Sequence, residues 1–384
     1  ISIQKSHGRR VLPLRLIGAR QHGVKGANNM AMIIDNHIHL LSGSEGKTYM
    51  PPNYSWAICV NWAYGTRQTT PYTRDPMDFY SRQEERVSDP DGSATIEAMD
   101  AAGVDAGVLI HADFGPSHGG GETMTMEEMA KSYTDLQNKH KGRLYSFAAP
   151  DVRRAGSLQL VEKTFRDWDT KGLKVFPEVG YFVNDPMLYP FYEMCLEYDK
   201  PVAICTNFER PFARARFNDP IYVSDVVADF PDLPVIMFHV GSPMEHWYDI
   251  CMAIGRSALN TYAEVDSWML GFNGAPQSIS DEDSILRLSK IRDMFGAHRV
   301  IFGSDGQFAN TSFGQRNREN YIKRVQFWKD LPKNAPKYGV NFSQEEVDLM
   351  MGLNLGRLMG LIDMPEYDKK RKYGWSILMP RPNP

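Results

Sequence analysis

The feature that most constrains this chain is a repeated alternation of short apolar runs with longer amphipathic segments. Helical patterns between the runs include residues 157–171, 189–198 and 284–295. Strands that alternate with helices indicate βα units and a parallel sheet. Eight runs have the composition of buried strands, at residues 32–38, 106–111, 144–149, 172–176, 202–205, 235–239, 261–265 and 300–303.

Eight βα units in a chain of 384 residues favour one closed (β/α)8 TIM barrel with insertions. A doubly wound open sheet is the alternative, but no GxGxxG sequence follows the first predicted strand. Active sites of such barrels lie at the carboxyl ends of the strands. Polar residues that end a predicted strand are therefore the first candidates for a functional site.

Three segments lie outside this barrel pattern, which we place at residues 30–361. Residues 1–29 contain six Lys or Arg residues and no acid, so we expect a basic arm that docks on the barrel or on another subunit. A start site upstream of Met30 or Met32 explains the same segment equally well. Residues 42–92 are an aromatic-rich insertion after strand one, expected either to cover the pocket mouth or to pack as core. Within the barrel, residues 113–123 contain a GGG run and are a second insertion, expected to form a flexible loop after strand two. The 362–384 tail is polar and proline-rich.

Composition excludes several function classes. The net charge of −4 and the absence of a basic stripe give no support for a nucleic-acid partner. No run of eighteen apolar residues is present, so we expect no membrane span. None of the four cysteines, Cys59, Cys195, Cys205 and Cys251, forms a CxxC pair, which favours a reducing, cytoplasmic setting.

The first strand carries a candidate metal pair in the stretch IIDNHIHLL, residues 33–41. His37 and His39 are two residues apart, so their side chains project to the same side of the strand. Imidazole suits zinc, iron, copper and nickel. A single HxH pattern is weak evidence, because histidines also end strands for structural reasons.

Other candidate residues fall at the ends of other predicted strands. Lys174 lies on strand four and Glu178 follows it, His239 ends strand six, and Asp305 follows strand eight in IFGSDGQF. Strand eight neighbours strand one in a closed barrel, so Asp305 can reach the same ion as the histidine pair. Two imidazoles and one carboxylate would leave open positions, as a catalytic metal requires.

Together these motifs resemble the amidohydrolase superfamily, in particular its branch named for aminocarboxymuconate-semialdehyde decarboxylase. The resemblance covers residues 33–361 and rests on IIDNHIHL, LKVFPE, FHVGSP, IFGSDGQF and the closing LMMGLNLGRLMGL, which contains Asn354 and Arg357. It implies that His37, His39 and Asp305 bind a metal, zinc in most members and manganese in some. It also implies that His239, a further metal-site candidate, moves a proton at the reacting carbon of a small carboxylated substrate.

One position departs from the family pattern. A histidine ligand is expected at the end of strand five, but this strand reads KPVAICTNFE and offers Cys205 or Thr206 there. Cys205 can bind zinc as a thiolate, and Glu178 or Glu209 would favour manganese or iron. Lys174 is another substitute, although a salt bridge or a substrate contact fits it better.

Three functions remain open on the sequence alone. A metal-dependent lyase or hydrolase, most simply a decarboxylase, is favoured. An iron- or manganese-dependent enzyme that activates oxygen is the second, and a non-catalytic subunit of a hetero-oligomer with a homologous partner is the third. The arm, the tail and the family favour a homodimer or such a hetero-oligomer. Arginines near the active face, foremost Arg210 and Arg214, are candidates for binding a substrate carboxylate.

Overall fold

The fold is seen in a computed structural model that describes residues 31–40, 50–63, 75–81, 88–209, 213–266 and 280–363. The predicted basic arm and almost all of the predicted tail lie outside the described residues. No helix in the described part of the chain is long and apolar enough to cross a bilayer.

Eight parallel strands form one sheet in the order of the sequence. They are β1 Ile34–Ile38, β2 Ala106–Ile110, β3 Leu144–Ala148, β4 Gly172–Val175, β5 Val202–Cys205, β6 Val235–Phe238, β7 Thr261–Val265 and β8 Val300–Phe302. The sheet curls into a nearly closed (β/α)8 TIM barrel, which confirms the predicted fold class and all eight strands to within two residues at each end.

Backbone contacts between β1 and the segment after β8 close the barrel. Ile38 forms a parallel bridge with Gly306. The His39 amide donates to the Gly306 carbonyl at 2.8 Å, and the Gly306 amide donates to the His37 carbonyl at 3.1 Å. The closure therefore lies directly beside the predicted metal pair.

Helices surround the barrel and alternate with its strands. They are α1 Pro52–Ala63, α2 Pro76–Tyr80, α3 Ser93–Ala102, α4 Gly115–His118, α5 Met126–Lys139, α6 Ser157–Asp167, α7 Tyr189–Glu197, α8 Ile221–Asp229, α9 Glu245–Ser257, α10 Asp281–Phe295, α11 Ser312–Lys329, α12 Leu331–Asn334, α13 Gln344–Asp348 and α14 Asn354–Leu358. The three predicted amphipathic segments correspond to α6, α7 and α10.

Local sequence explains where several of these helices begin. Thr125 accepts the Glu128 amide while the Glu128 carboxylate accepts the Thr125 amide, a reciprocal capping box at the start of α5. Ser343 and Glu346 form the same pair at the start of α13. At the closing end, Asn354 of α14 donates to the carbonyls of Ala297 and Val300 at 2.8 Å each. This asparagine therefore ties the last helix to the entry of β8.

The two predicted insertions contain regular structure. Helices α1 and α2 lie within the 42–92 segment, and Tyr54 of α1 stacks on Phe114 with ring centroids 4.2 Å apart, whereas Trp56 is 39% exposed. The loop predicted at 113–123 contains the short helix α4, so the prediction is wrong at these four residues. Glu122, near its end, is held by Arg154 at 2.6 Å, so the segment has a defined ion pair.

Candidate metal and acid–base site

Three predicted metal ligands converge at the carboxyl ends of β1 and β8. Nε2 of His37 lies 2.9 Å from Nε2 of His39. Oδ1 of Asp305 lies 3.5 Å from the first of these nitrogens and 3.3 Å from the second. Residues 268 positions apart in the chain thus meet because β8 returns to β1. His37 is buried, and His39 and Asp305 keep side-chain exposures of 11% and 15%.

The other ring nitrogen of each histidine faces an oxygen atom, with a hydrogen bond for His39 and a longer approach for His37. Nδ1 of His39 lies 2.8 Å from the Ile110 carbonyl, so it must carry the proton and donate. Nδ1 of His37 faces Oε1 of Glu264 at 3.4 Å. This arrangement directs both Nε2 atoms to one point, as in metal sites where carbonyls and carboxylates hold the far side of the ligand ring.

A buried clamp fixes β1 against the segment after β8. Oδ1 of Asp35 accepts the amides of His37 at 3.0 Å and Ser304 at 2.9 Å. The Ser304 hydroxyl donates to the His37 carbonyl at 3.0 Å, and Arg324 of α11 donates to the Ser304 carbonyl. Burial raises the pKa of Asp35 to about 6. The clamp sets the distance between the histidine pair and Asp305.

His239 lies beside this group and is paired with Asp266. Its ring centroid is 5.1 Å from that of His37, and its Nδ1 forms a short hydrogen bond with Oδ2 of Asp266. Burial alone would lower the pKa of His239, but the Asp266 carboxylate and then Cys205 raise it well above the usual value. The ring is thereby suited to hold a proton at neutral pH.

Sequence analysis missed the two carboxyl groups of β7. Glu264 and Asp266 are both fully buried, and Oε2 of Glu264 accepts the His239 amide at 3.0 Å. Burial and the adjacent Asp266 carboxyl raise the pKa of Glu264 well above its usual value. Their spacing of two residues in TYAEVDSW was the available signal, because it places both side chains on one side of a strand, as for His37 and His39.

The backbone is unusual at both ends of the site. His239, Val240 and Asp305 have φ values of 65°, 45° and 50°, a left-handed region that costs free energy for residues with a Cβ. Such conformations cluster at active sites because surrounding contacts enforce them. Here the enforcing contacts are the Glu264 bond to the His239 amide and the Ser304 hydrogen bonds next to Asp305.

Electrostatics give the site a neutral His37 imidazole beside an ionised Asp305 carboxylate. Burial lowers the pKa of His37 well below its usual value, so its lone pair is available to a cation. Burial opposes ionisation of Asp305, but the His37 and His39 rings hold the pKa of this carboxyl below its usual range. Ligands must be deprotonated to bind a metal, and His37 and Asp305 meet that condition.

The residues considered as substitute ligands lie outside the converging donor groups. Among the described residues, the donor groups within 4.8 Å of one another do not include Cys205 or Glu178. Cys205 instead hydrogen-bonds His239. Thr206 donates to the Phe238 carbonyl at 2.7 Å and accepts the Gly241 amide at 3.1 Å, so its hydroxyl supports the turn after β6.

Lys174 and Glu178 occupy the interior between β4 and β5. Nζ of Lys174 is fully buried and lies 3.4 Å from the ring centroid of Phe238, a cation–π contact. It has no hydrogen-bond partner among the described residues. Burial, and then the charge of Glu209, raises the pKa of Glu178 to about 7. The two arginines predicted to bind substrate have different outcomes. Arg210 lies outside the described residues, and Arg214 is exposed in the loop after β5.

The donor set fits one cation at the mouth. Zinc bonds of about 2.0–2.1 Å in a tetrahedron place neighbouring ligand atoms about 3.3 Å apart, and the three observed separations are 2.9, 3.3 and 3.5 Å. A second group, His37, His239, Glu264 and Asp266, also lies within 4.8 Å. Its carboxylates already hold the two histidines, so the mouth set is the better candidate.

Comparison with known families decides the membership of the chain. The family model described as Amidohydrolase matches residues 34–360. The chain belongs to this amidohydrolase family. The resemblance predicted from the five motifs is thus confirmed, and this amidohydrolase is an enzyme of that superfamily. No curated protein matches it in sequence.

Solved structures share the fold of this amidohydrolase at low sequence identity. A 5-carboxyvanillate decarboxylase from Sphingomonas paucimobilis is 13% identical, with a TM-score of 0.54 over 86% of this chain and 99% of the other. A dihydroxybenzoic acid decarboxylase from a Polaromonas species, with bound manganese, is 13% identical with a TM-score of 0.54 over 86% and 98%. An amidohydrolase from Burkholderia multivorans, with bound zinc, is 13% identical with a TM-score of 0.55 over 86% and 99%.

Proposed function

We propose that this enzyme is a metal-dependent lyase that decarboxylates a small carboxylated substrate at the mouth of its barrel. The observation that carries the proposal is the convergence of His37 Nε2, His39 Nε2 and Asp305 Oδ1 within 3.5 Å of one another. These three residues would hold the ion. When bound, the cation would polarise a substrate oxygen as a Lewis acid.

His239 is the residue that we assign to proton transfer. In a decarboxylation the bond from carbon to the carboxyl group breaks, carbon dioxide leaves, and the electron pair stays on the carbon. A proton must then reach that carbon. Asp266 holds Nδ1 of His239, so Nε2 is the atom that would donate, and the raised pKa keeps it protonated until then.

Two buried carboxyl residues, Glu264 and Asp35, position the metal-binding side chains and His239. Glu264 holds the backbone of His239 and faces the ring of His37, so one side chain connects the metal set to the proton donor. Asp35 fixes the separation of His37 and Asp305 through Ser304. A buried, hydrogen-bonded support of this kind keeps reacting groups in place without reorganisation during the reaction.

The nature of the substrate and the metal completes the proposal. The structural neighbours named as carboxyvanillate and dihydroxybenzoate decarboxylases favour an aromatic carboxylate over other small acids. We propose zinc as the metal, with manganese or iron as alternatives.

We also propose a basic arm at 1–29, a barrel at 30–361 with the 42–92 insertion, and a tail at 362–384. The proposed setting is cytoplasmic, and the proposed assembly is a homodimer or a complex with a homologous subunit.

Elemental analysis of the purified protein, combined with activity assays on 5-carboxyvanillate and 2,6-dihydroxybenzoate, tests the proposal. We expect about one zinc or manganese ion per chain, and loss of both ion and activity in His39→Ala. His246→Ala is the matched control, because His246 is an exposed residue of α9 away from the site. Turnover by metal-free protein contradicts the proposal. Oxygen consumption during turnover would favour the oxygenase, and a metal-loaded but inactive chain the non-catalytic subunit.

A further inference from the structure

Arg153, in the loop after β3, has one free edge. Its Nε and Nη2 donate to the Asp151 carboxylate at 2.9 and 2.5 Å, which fixes the guanidinium in a bidentate pair. Its Nη1 has no hydrogen-bond partner among the described residues. This nitrogen points to Gly180, where a Cβ added to the glycine would lie 3.2 Å from it. The arginine is thus held rigidly with one donor group left over.

Arg214, in the loop after β5, approaches the same glycine. Its Nη1 lies 3.6 Å from the position of that added Cβ. The two nitrogens are therefore no more than about 6.8 Å apart, the sum of the two distances. Arg214 has no ion pair among the described residues, and its amide donates to the Glu178 carbonyl at 2.9 Å. Of these two guanidinium groups, only that of Arg153 has an ion pair among the described residues.

Gly180 keeps the space between the arginines open. Its φ is 127°, a conformation that favours glycine, and a side chain there would occupy the volume that both nitrogens face. Charge-assisted N–H···O bonds are about 2.7–2.9 Å long, so a single anionic group can accept from both arginines at this separation. The neighbouring Arg154 differs, because it pairs with two carboxylates, those of Asp113 and Glu122.

We propose that Arg153 and Arg214 form an anion-binding subsite above Gly180 that takes an acidic group of the substrate remote from the reacting carbon. This inference rests on the proposed function, because that proposal supplies the substrate. Anion binding at the subsite does not itself require the metal. Both arginines follow strands at their carboxyl ends, the face on which His37 and His239 lie. The subsite selects substrates with two acidic groups, either a second carboxylate or a phosphate, which share this chemistry.

Titration calorimetry on the full chain, loaded with zinc, tests the subsite with isophthalate, benzoate and inorganic phosphate as probes. We expect isophthalate to bind at least tenfold more tightly than benzoate. Arg153→Ala and Arg214→Ala should each weaken isophthalate about tenfold or more, the usual effect of losing a hydrogen bond to a charged group. Gly180→Ala should weaken it too, and none of the three should change zinc content. Phosphate that binds more tightly than isophthalate, and only when both arginines are present, would identify phosphate as the preferred anion.

Arg216→Ala is the matched control, because Arg216 is exposed two residues away and packs over Phe217 at 4.7 Å. Equal losses in Arg214→Ala and Arg216→Ala, or isophthalate binding that is indifferent to Arg153 and Arg214, would overturn the subsite. Binding that depends on these arginines in a protein without decarboxylase activity would leave the subsite standing while the proposed reaction fails. The two proposals therefore fail separately.

Discussion

The two sides of the barrel mouth differ in the ion pairs of their buried side chains. On the β1, β7 and β8 side, the paired side, His37, His39 and His239 each lie within 4.0 Å of a carboxylate oxygen. Some buried atoms on this side, such as Asp35 Oδ2 and Glu264 Oε1, nevertheless make no hydrogen bond among the described residues. On the β4 and β5 side, the unpaired side, Lys174 Nζ and one oxygen of Glu178 have neither an ion pair nor a hydrogen-bond partner among the described residues. The first side is built to hold geometry before any ligand arrives, and the second retains bonding capacity for a ligand.

This difference follows from the energetics of burial. A buried charged group without a partner costs several kcal/mol, so a chain retains one only where other constraints apply. The paired side needs fixed distances for a cation, whatever the substrate. The unpaired side would change with the substrate, and its residues lie next to the Arg153 and Arg214 pair. The comparison predicts that substitutions on the two sides have separable effects.

The largest effect is expected from His239→Asn, which removes the proton donor on the paired side. The turnover rate should fall by about 10²- to 10⁴-fold, the usual contribution of general acid–base catalysis. Metal content should stay at the wild-type level, because the three ligands at the mouth are unchanged. Steady-state kinetics with parallel elemental analysis measures both. A variant that loses its metal would show that His239 is a ligand instead.

Glu178→Gln probes the unpaired side through stability. The pKa of Glu178 is raised to about 7 by burial, so the folded state binds its proton more tightly than the unfolded state does. The wild-type stabilisation from this group is present at pH 4 and is lost as the pH rises through 7. This corresponds to about 3 kcal/mol at the standard 1.36 kcal/mol for each pKa unit.

Urea unfolding at pH 5 and pH 8 tests this expectation. Glu178→Gln should gain stability relative to the wild type as the pH rises, because glutamine carries no charge to bury. Glu197→Gln, at an exposed position of α7, is the control and should follow the wild type at both pH values. A constant difference between Glu178→Gln and the wild type would mean that a partner compensates the carboxylate.

A smaller effect is expected from Glu264→Gln on the paired side. The change removes the carboxyl group facing His37 but keeps the volume of the side chain. The volume matters because this side chain packs tightly against Gly303, where an added Cβ would lie 1.8 Å from Oε1 of Glu264. Zinc affinity should fall about 10- to 100-fold, as for other residues that orient metal ligands. Competition with a chromogenic chelator measures it. Asp89→Asn, a buried helix-capping carboxylate, should leave zinc affinity unchanged.

The smallest effect is expected from Cys205→Ser, which tests whether strand five supplies a ligand. Cys205 lies outside the converging donor set and hydrogen-bonds His239, so zinc affinity should stay within about twofold of the wild type. Cobalt-loaded wild-type protein should show no sulfur-to-cobalt charge-transfer band. Such a band, lost in Cys205→Ser, would place the thiolate on the metal and extend the paired side to β5.

Much of the architecture was predictable because it rests on local pattern. The eight apolar runs predicted the strands, and the HxH spacing with Asp305 predicted the three side chains that converge at the mouth. Glu264 and Asp266 were missed although their spacing is the same, because carboxylates in a strand are ordinarily assigned to solvent. Helix α4 was missed because GPSH followed by three glycines has the composition of a loop.

The sequence by itself determined the barrel and the candidate ligands at strand ends, since strand periodicity and strand order place these residues on one face. Its five motifs together also gave the resemblance to the family. Only the tertiary structure decided which partner each polar group has. Glu264 contacts His37 and His239 across 227 and 25 residues of chain, and Arg153 and Arg214 meet only at Gly180. Such pairs depend on side-chain directions across several strands and loops, which no local pattern encodes.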